Sequence, residues 1–165
     1  MIIVIMGVSG VGKSTIGRLL AERLGFEFAE GDDYHPPANV AKMSAGTPLN
    51  DADRLPWLQA MADEIRVWIS EQRSVILTCS ALKRRYRDIL IGDQPVVLVY
   101  LRGDKVTIAR RMQQRHDHFM PQTLLDSQFA TLEEPGAEET EFAVDVAPAP
   151  EIIVADLYQR LHKEV

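Results

Sequence analysis

The chain has 165 residues, of which 18 are basic and 24 acidic, and its formal net charge at pH 7 is -6. This balance argues against general affinity for nucleic acid or anionic lipid, because both partners select a basic face. The single cysteine, Cys79, excludes an internal disulfide framework and a zinc site built from several cysteines. No apolar run approaches the roughly 20 residues of a membrane-spanning helix, and the start lacks the basic region of a signal peptide. The sequence therefore predicts one cytoplasmic domain over residues 1–165.

Short apolar segments alternate with amphipathic segments along the chain. The apolar runs predict five strands, at residues 2–6, 26–29, 74–78, 96–101 and 142–146. Helical spacing of apolar residues predicts helices at 14–24, 37–44, 52–72, 82–91, 104–115, 122–131 and about 150–163. This alternation is typical of an α/β fold in which helices cover both faces of a parallel sheet. Ligands of such sheets bind at the carboxyl ends of the strands, where the polar segments should converge.

Residues 7–14 read G-x-x-x-x-G-K-S between the first predicted strand and the first predicted helix. The glycines let backbone N–H groups curl around a phosphate, and the helix amino terminus adds partial positive charge. Lys13 is expected to reach the β- and γ-phosphates, and the Ser14 hydroxyl to bind Mg²⁺. The Thr15 hydroxyl could reach the α-phosphate. The nucleotide contacts predicted in this segment are Gly7, Val8, Ser9, Gly10, Val11, Gly12, Lys13, Ser14 and Thr15.

The phosphate loop alone does not separate a GTPase, a motor ATPase and a small-molecule kinase. The chain lacks the N-K-x-D motif with which a GTPase reads guanine, and a motor usually needs a longer chain. These two observations favour a kinase that phosphorylates a small acceptor.

Three carboxylates, Glu30, Asp32 and Asp33, follow the second predicted strand. At this position a carboxylate can orient or deprotonate an attacking hydroxyl, or hold Mg²⁺ through water. The alternative is ordinary turn chemistry, in which aspartates bond to nearby backbone groups.

Basic residues supply the candidates for anion binding. Ser80, after the third strand, is expected to cap the next helix, on which Lys83 and Arg87 share a face that suits a carboxylate substrate. Arg111 and Arg115 share a face of a later helix, from which arginines can clamp a γ-phosphate. The alternative is a basic surface helix for the first group and salt bridges to surface acids for the second.

Longer stretches resemble the gluconokinases of the thermoresistant type, which are phosphate-loop kinases related to shikimate and adenylate kinases. The matching stretches are MGVSGVGKST at 6–15, EGDDYHPPANVAKMSAGTPLNDADRLPWL at 30–58, CSALKRRYRDIL at 79–90 and RHDHFMPQTLLDSQFATLEEP at 115–135. They run across nearly the whole chain in family order. The last three contain segments that are far more specific than the phosphate loop.

This resemblance implies ATP-dependent phosphorylation of D-gluconate at its 6-hydroxyl, giving 6-phospho-D-gluconate and ADP for the pentose phosphate and Entner–Doudoroff routes. It implies a three-layer phosphate-loop kinase fold with a five-stranded parallel sheet and helices on both faces. It also implies an acceptor-binding segment at about 32–60, a mobile lid at about 115–125 and a cytoplasmic homodimer.

The resemblance also implies roles for individual residues. Adenine would contact Arg111 and the loop at Ala147 and Pro148. Glu30 would reach Mg²⁺ through water, and Asp32 would accept the proton of the 6-hydroxyl, with Asp33 as the competing base. Lys13 and Arg115 would neutralise the moving phosphoryl group. The acceptor pocket would be formed by Asp32, His35, Lys42, Arg54, Ser80, Lys83 and Arg87.

Two other functions stay open at the level of sequence. A kinase of another small hydroxy acid, such as shikimate, could use the same scaffold, although the longer segment at 36–58 disfavours shikimate. A nucleotide-binding regulatory module without catalysis would show damage at Lys13, Ser14, Asp32 or a lid arginine, and these residues are all intact.

Overall fold

A computed structural model describes residues 1–114 and 122–163. Its five strands form one sheet in the order β2-β3-β1-β4-β5, and every neighbouring pair is parallel. The strands are β1 (Ile2–Met6), β2 (Glu27–Glu30), β3 (Val75–Thr78), β4 (Val96–Arg102) and β5 (Phe142–Asp145). The predicted five-stranded parallel sheet is therefore confirmed.

The helices within the described ranges also follow the prediction, with small shifts at their ends. They are α1 (Lys13–Leu24), α2 (Pro37–Ser44), α3 (Asp51–Ser70), α4 (Arg84–Leu90), α5 (Lys105–Gln113), α6 (Gln122–Thr131) and α7 (Pro150–His162). Gly31–Tyr34, for which no regular structure was predicted, forms a short 3₁₀ helix. The expectation that Ser80 caps a helix is wrong, because α4 begins only at Arg84 and its N-cap is Lys83.

The strands bury both faces of the sheet. Ile3 and Ile5 of β1 belong to a core that includes residues of α1, α5 and α7, whereas Ile2, Val4 and Met6 face residues of α3 and α4. Alternation within one continuous apolar strand is what a sheet covered on both sides requires. The result is the predicted arrangement of three layers.

Strand register brings the predicted polar segments to one edge of the sheet. Glu30 pairs with Thr78, Ile5 also pairs with Thr78, and Met6 pairs with Tyr100. The segments that follow β1, β2 and β3 therefore leave the sheet side by side. Among the described helices, none is both long enough and apolar enough to cross a membrane.

Candidate active site

The phosphate loop joins β1 to α1, and its glycines are needed for its shape. Gly10 and Gly12 have φ angles of 83° and 105°, in the left-handed region that other residues resist. A Cβ atom on Gly10 would also stand 2.8 Å from the Met112 side chain of α5. The loop therefore needs glycine at Gly10 for both its conformation and its close packing.

Lys13 folds back over this loop. Its Nζ donates hydrogen bonds to the carbonyl oxygens of Gly7 and Val8, at 2.9 and 3.0 Å. Burial lowers the pKa of Lys13, and the nearby Asp32 carboxylate acts in the opposite direction. The ammonium group is thus held against the backbone of the loop, and its contact with the β- and γ-phosphates stays a prediction.

Helix α6 is attached to the phosphate loop by Gln128. The backbone N–H of Ser9 donates to Gln128 Oε1 at 2.7 Å, and Gln128 Nε2 donates to Ser9 Oγ at 2.9 Å. No pattern in the sequence indicates a role for Gln128, although it lies in the specific stretch at 115–135. That stretch was the only signal in the sequence that could have pointed to it.

Hydrogen bonds fix the segment that carries the carboxylates to strand β3 and to helix α3. Thr78 Oγ1 donates to Glu30 at 2.8 Å, and Trp57 Nε1 donates to the carbonyl oxygen of Gly31 at 2.8 Å. A Cβ atom on Gly31 would stand 2.0 Å from the Thr78 carbonyl oxygen, so no other residue fits. The Asp32 side chain, in contrast, is 85% exposed and free to meet a ligand.

A cavity of about 290 Å³ opens between these elements. It joins the phosphate loop to α2, α3 and α6, and its wall contains both polar and apolar side chains. Five residues predicted to act in catalysis or acceptor binding line it, namely Lys13, Asp32, His35, Arg54 and Ser80. Its other lining residues include Ser9, Val40, Met43, Leu49, Trp57, Leu124 and Gln128.

Arg54 is a second cation in the wall of this cavity, besides Lys13. It is only 8% exposed, and its Nη1 donates to the Tyr86 hydroxyl at 3.2 Å. Across residues 1–114 and 122–163, none of the ion pairs to a carboxylate involves Arg54. A buried charge without a counter-ion is costly, so the site is suited to an anionic ligand.

Three other cations that the resemblance assigns to the substrate are paired with carboxylates of the chain itself. Lys42 Nζ lies 2.8 Å from Asp53, and Lys83 Nζ lies 3.1 Å from Asp51. The structure does not bring either lysine to the wall of the 290 Å³ cavity. Their contact with the substrate stays a prediction.

Arg87 is the third, and it is almost fully buried at 2% exposure. Its guanidinium donates to both carboxylate oxygens of Glu139, at 2.7 and 3.1 Å, and to the carbonyl oxygens of Ala81 and Leu82. All of these partners belong to the chain itself, and Arg87 does not line the 290 Å³ cavity. Its contact with the substrate stays a prediction as well.

Two further cavities flank the phosphate loop. One, of about 430 Å³, is lined by Gly10, Thr15, Arg111, Ala147 and Pro148 among others, and Arg111 Nη2 donates to the Ala147 carbonyl oxygen at 3.3 Å. The other, of about 80 Å³, is lined by ten residues that include Ser14, Thr15, Glu30, Asp32 and Thr78. Asp33 lines neither of these cavities nor the 290 Å³ cavity.

Part of the predicted site lies outside the described residues. Arg115 and most of the predicted lid at 115–125 fall there, so their roles stay predictions. The described part of that range belongs to α6, which begins at Gln122.

The chain is similar to a family model and to proteins of known activity. A family model described as an AAA domain matches residues 2–135. The chain is 47% identical to a gluconokinase of Gluconobacter oxydans (strain 621H), covering 98% of this chain and 92% of that protein. It is 42% identical to the thermoresistant gluconokinase of Escherichia coli (strain K12), covering 98% and 94%.

A solved structure agrees with these sequence relatives. The crystal structure of a gluconokinase from Sinorhizobium meliloti 1021 superimposes with a TM-score of 0.83 at 44% identity, covering 98% of this chain and 95% of that one. The resemblance drawn from the sequence is thereby confirmed, and the chain belongs to the gluconokinase family.

Proposed function

We propose that this protein transfers the γ-phosphoryl group of ATP to the 6-hydroxyl of D-gluconate, giving 6-phospho-D-gluconate and ADP. The observation that carries the proposal is Arg54, a buried guanidinium with no carboxylate within ion-pair distance in the described chain, in the same cavity as Lys13 and Asp32. Gluconate has a carboxylate at one end and a primary hydroxyl at the other. Arg54 suits the first group, and Asp32 beside the phosphate loop suits the second.

Different residues of the chain bind the phosphates and accept the proton. The loop amides and Lys13 hold the β- and γ-phosphates, and Asp32 takes the proton of the attacking hydroxyl. Asp33 is the weaker candidate for the base, because it lines none of the three cavities around the loop. Catalysis is then mostly positioning and charge stabilisation, with Arg115 as a further proposed cation.

The residues around the smallest cavity fit a magnesium ion. The Ser14 hydroxyl and the Glu30 carboxylate both line it, and oxygen donors are what this hard cation prefers. We assign Ser14 as a direct ligand and Glu30 as a ligand through water. Bound Mg²⁺ would supply neutralisation of phosphate charge.

The 430 Å³ cavity is the proposed adenine site. Arg111 and the loop at Ala147 and Pro148 form part of its wall, and Thr15 and Gly10 connect it to the phosphate loop. Lys42, Lys83 and Arg87 each pair with a carboxylate of the chain, and none of them lines the 290 Å³ cavity. Arg54 is therefore the favoured ligand of the substrate carboxylate. A cytoplasmic homodimer stays a prediction from the resemblance.

A coupled assay of ADP release tests this function. The acceptors are gluconate, shikimate, glycerate, glucose and a nucleoside monophosphate, each with ATP and Mg²⁺. We expect turnover with gluconate alone. Preference for another acceptor, or no turnover with any of them, would contradict the proposal.

Arg54→Met gives the sharper test. Removing a charge-assisted contact worth about 1.5–3 kcal/mol should raise the KM for gluconate roughly 10- to 150-fold and leave the KM for ATP unchanged. Arg66→Met is the matched control, because Arg66 lies on the same helix but pairs with Asp63 in solvent. Thermal unfolding checks that Arg54→Met is folded, and Arg54→Lys supplies a second variant. An unchanged KM for gluconate would refute the role of Arg54.

A further inference from the structure

Asn39, on α2, makes two hydrogen bonds that together determine which ring nitrogen of His35 carries the proton. The residue is 3% exposed. Its Nδ2 donates to the backbone carbonyl oxygen of Asp53 at 2.8 Å and lies 3.2 Å from His35 Nδ1. A carbonyl oxygen only accepts, so the Asn39 atom at this position is the amide nitrogen and not its oxygen. That nitrogen donates to both partners, so His35 Nδ1 must be the acceptor.

We propose that Asn39 is a positioning residue that holds His35 as the neutral tautomer with its proton on Nε2. The ring has little freedom to turn away. Its side chain is 4% exposed, and it stacks on Trp57 with ring centroids 4.2 Å apart and planes 13° apart. Trp57 is itself anchored to the Gly31 carbonyl oxygen.

The fixed proton points toward the proposed base. His35 Nε2 lies 3.9 Å from Asp32 Oδ1, too far for a direct hydrogen bond, and both residues line the 290 Å³ cavity. A hydroxyl oxygen between them can accept from Nε2–H while donating its own hydrogen to Asp32. His35 then orients the acceptor and cannot take its proton, which leaves Asp32 as the base. This step rests on the proposed function, whereas the tautomer does not.

The surroundings of His35 favour a neutral ring. Burial lowers the pKa of His35, the Arg54 guanidinium lowers it as well, and the Asp32 carboxylate opposes both. An imidazolium would also place an N–H on Nδ1 against the Asn39 N–H, so the same hydrogen bond disfavours protonation.

Nitrogen-15 NMR of the histidine rings tests the tautomer in the whole chain without any substrate. The protein has four histidines, so the spectrum is simple, and His35→Gln identifies the His35 signals. We expect Nε2 protonated and Nδ1 unprotonated at pH 7. The exposed His162, stacked on Tyr158, is the internal reference for an ordinary ring. A proton on Nδ1, or an imidazolium at pH 7, would overturn the proposal.

Asn39→Leu tests the link between the two residues. Without the amide donor, the His35 signals should become those of a tautomer mixture, and kcat with gluconate should fall about 3- to 10-fold, the value of one hydrogen bond. An unchanged His35 spectrum in folded Asn39→Leu would overturn the role of Asn39. If Asn39→Leu does not fold, the wild-type spectrum still decides the tautomer.

Two variants of His35 test its use as a donor. His35→Gln can place an amide N–H near the position of Nε2 and should keep more activity than His35→Phe, which keeps the stack on Trp57 but has no donor. Equal activity of the two variants would contradict the donor role. If wild-type protein shows the Nε2–H tautomer but does not turn over gluconate, the proposed function fails while the positioning by Asn39 stands.

Discussion

Replacing Arg87 by methionine tests whether this buried arginine supports the fold or holds the substrate. Methionine keeps much of the apolar volume but removes two bonds to Glu139 and two to backbone carbonyl oxygens. The Glu139 side chain, 11% exposed, is then left without its counter-ion. Breaking one side of a buried pair typically costs about 3–5 kcal/mol. That is a large share of a usual unfolding free energy of about 5–15 kcal/mol.

Urea unfolding at pH 7 measures this cost. We expect Arg87→Met to lose about 3–5 kcal/mol, and the double variant Arg87→Met/Glu139→Leu to recover much of it, since no unpaired charge is left. Arg84→Met is the matched control on the same helix. Its pair with Glu138 is exposed at 53% and 61%, so its loss should stay below about 1 kcal/mol.

The loss should also depend on pH in a defined direction. Arg87 holds the pKa of the Glu139 carboxyl below its ordinary value of 4.5. A carboxyl whose pKa is depressed by folding stabilises the fold above the unfolded value and ceases to do so as pH falls through the folded value. The difference between wild type and Arg87→Met should therefore be full at pH 7 and shrink below about pH 4.5. Unchanged stability with a raised KM for gluconate would refute this reasoning and make Arg87 a substrate ligand.

Two further predictions concern the edge of the sheet. Gly31→Ala would place a Cβ atom 2.0 Å from the Thr78 carbonyl oxygen, so β2 and β3 must move apart. We expect the free energy of unfolding, measured by thermal unfolding, to fall by about 1–3 kcal/mol. An unchanged unfolding midpoint would contradict this prediction. Burial raises the pKa of the Cys79 thiol to about 12. A disulfide reagent at pH 8 should therefore label Cys79 only after the protein is unfolded in urea. If native protein is labelled as fast as unfolded protein, the thiol is accessible and the prediction is wrong.

The strands and the phosphate loop could be predicted because their causes are local. An uninterrupted apolar run such as Ile2–Met6 fits a strand buried on both faces, whatever the rest of the chain does. Gly25, the residue that follows the helix predicted at 14–24, has the left-handed φ of 73° that is common directly after a helix end. The start of α3 follows from Asn50 and Asp53, which form a reciprocal capping box.

The partners of the basic residues could not be predicted, because they come from distant parts of the chain. The sequence predicts Lys83 and Arg87 as cations of the acceptor pocket, but a sequence pattern does not show that Asp51 and Glu139 pair with them. Arg54 differs from them in lining the cavity and in having no carboxylate within ion-pair distance across the described ranges. The function of each cation therefore depends on tertiary pairing and not on its local spacing.

The central position of β1 in the sheet has a consequence for how fast the chain folds. Ile2 pairs with Val75 on one side and with Val96 on the other, so no neighbour in sequence completes this strand. Such non-local pairing requires long loops to close, and the chain loses conformational entropy before the strand contacts form. This slows folding relative to helical bundles. Until that closure, the apolar run Ile2–Met6 is open to water and to other chains. The strand that supports the phosphate loop is thus exposed to aggregation until both of its neighbours have paired with it.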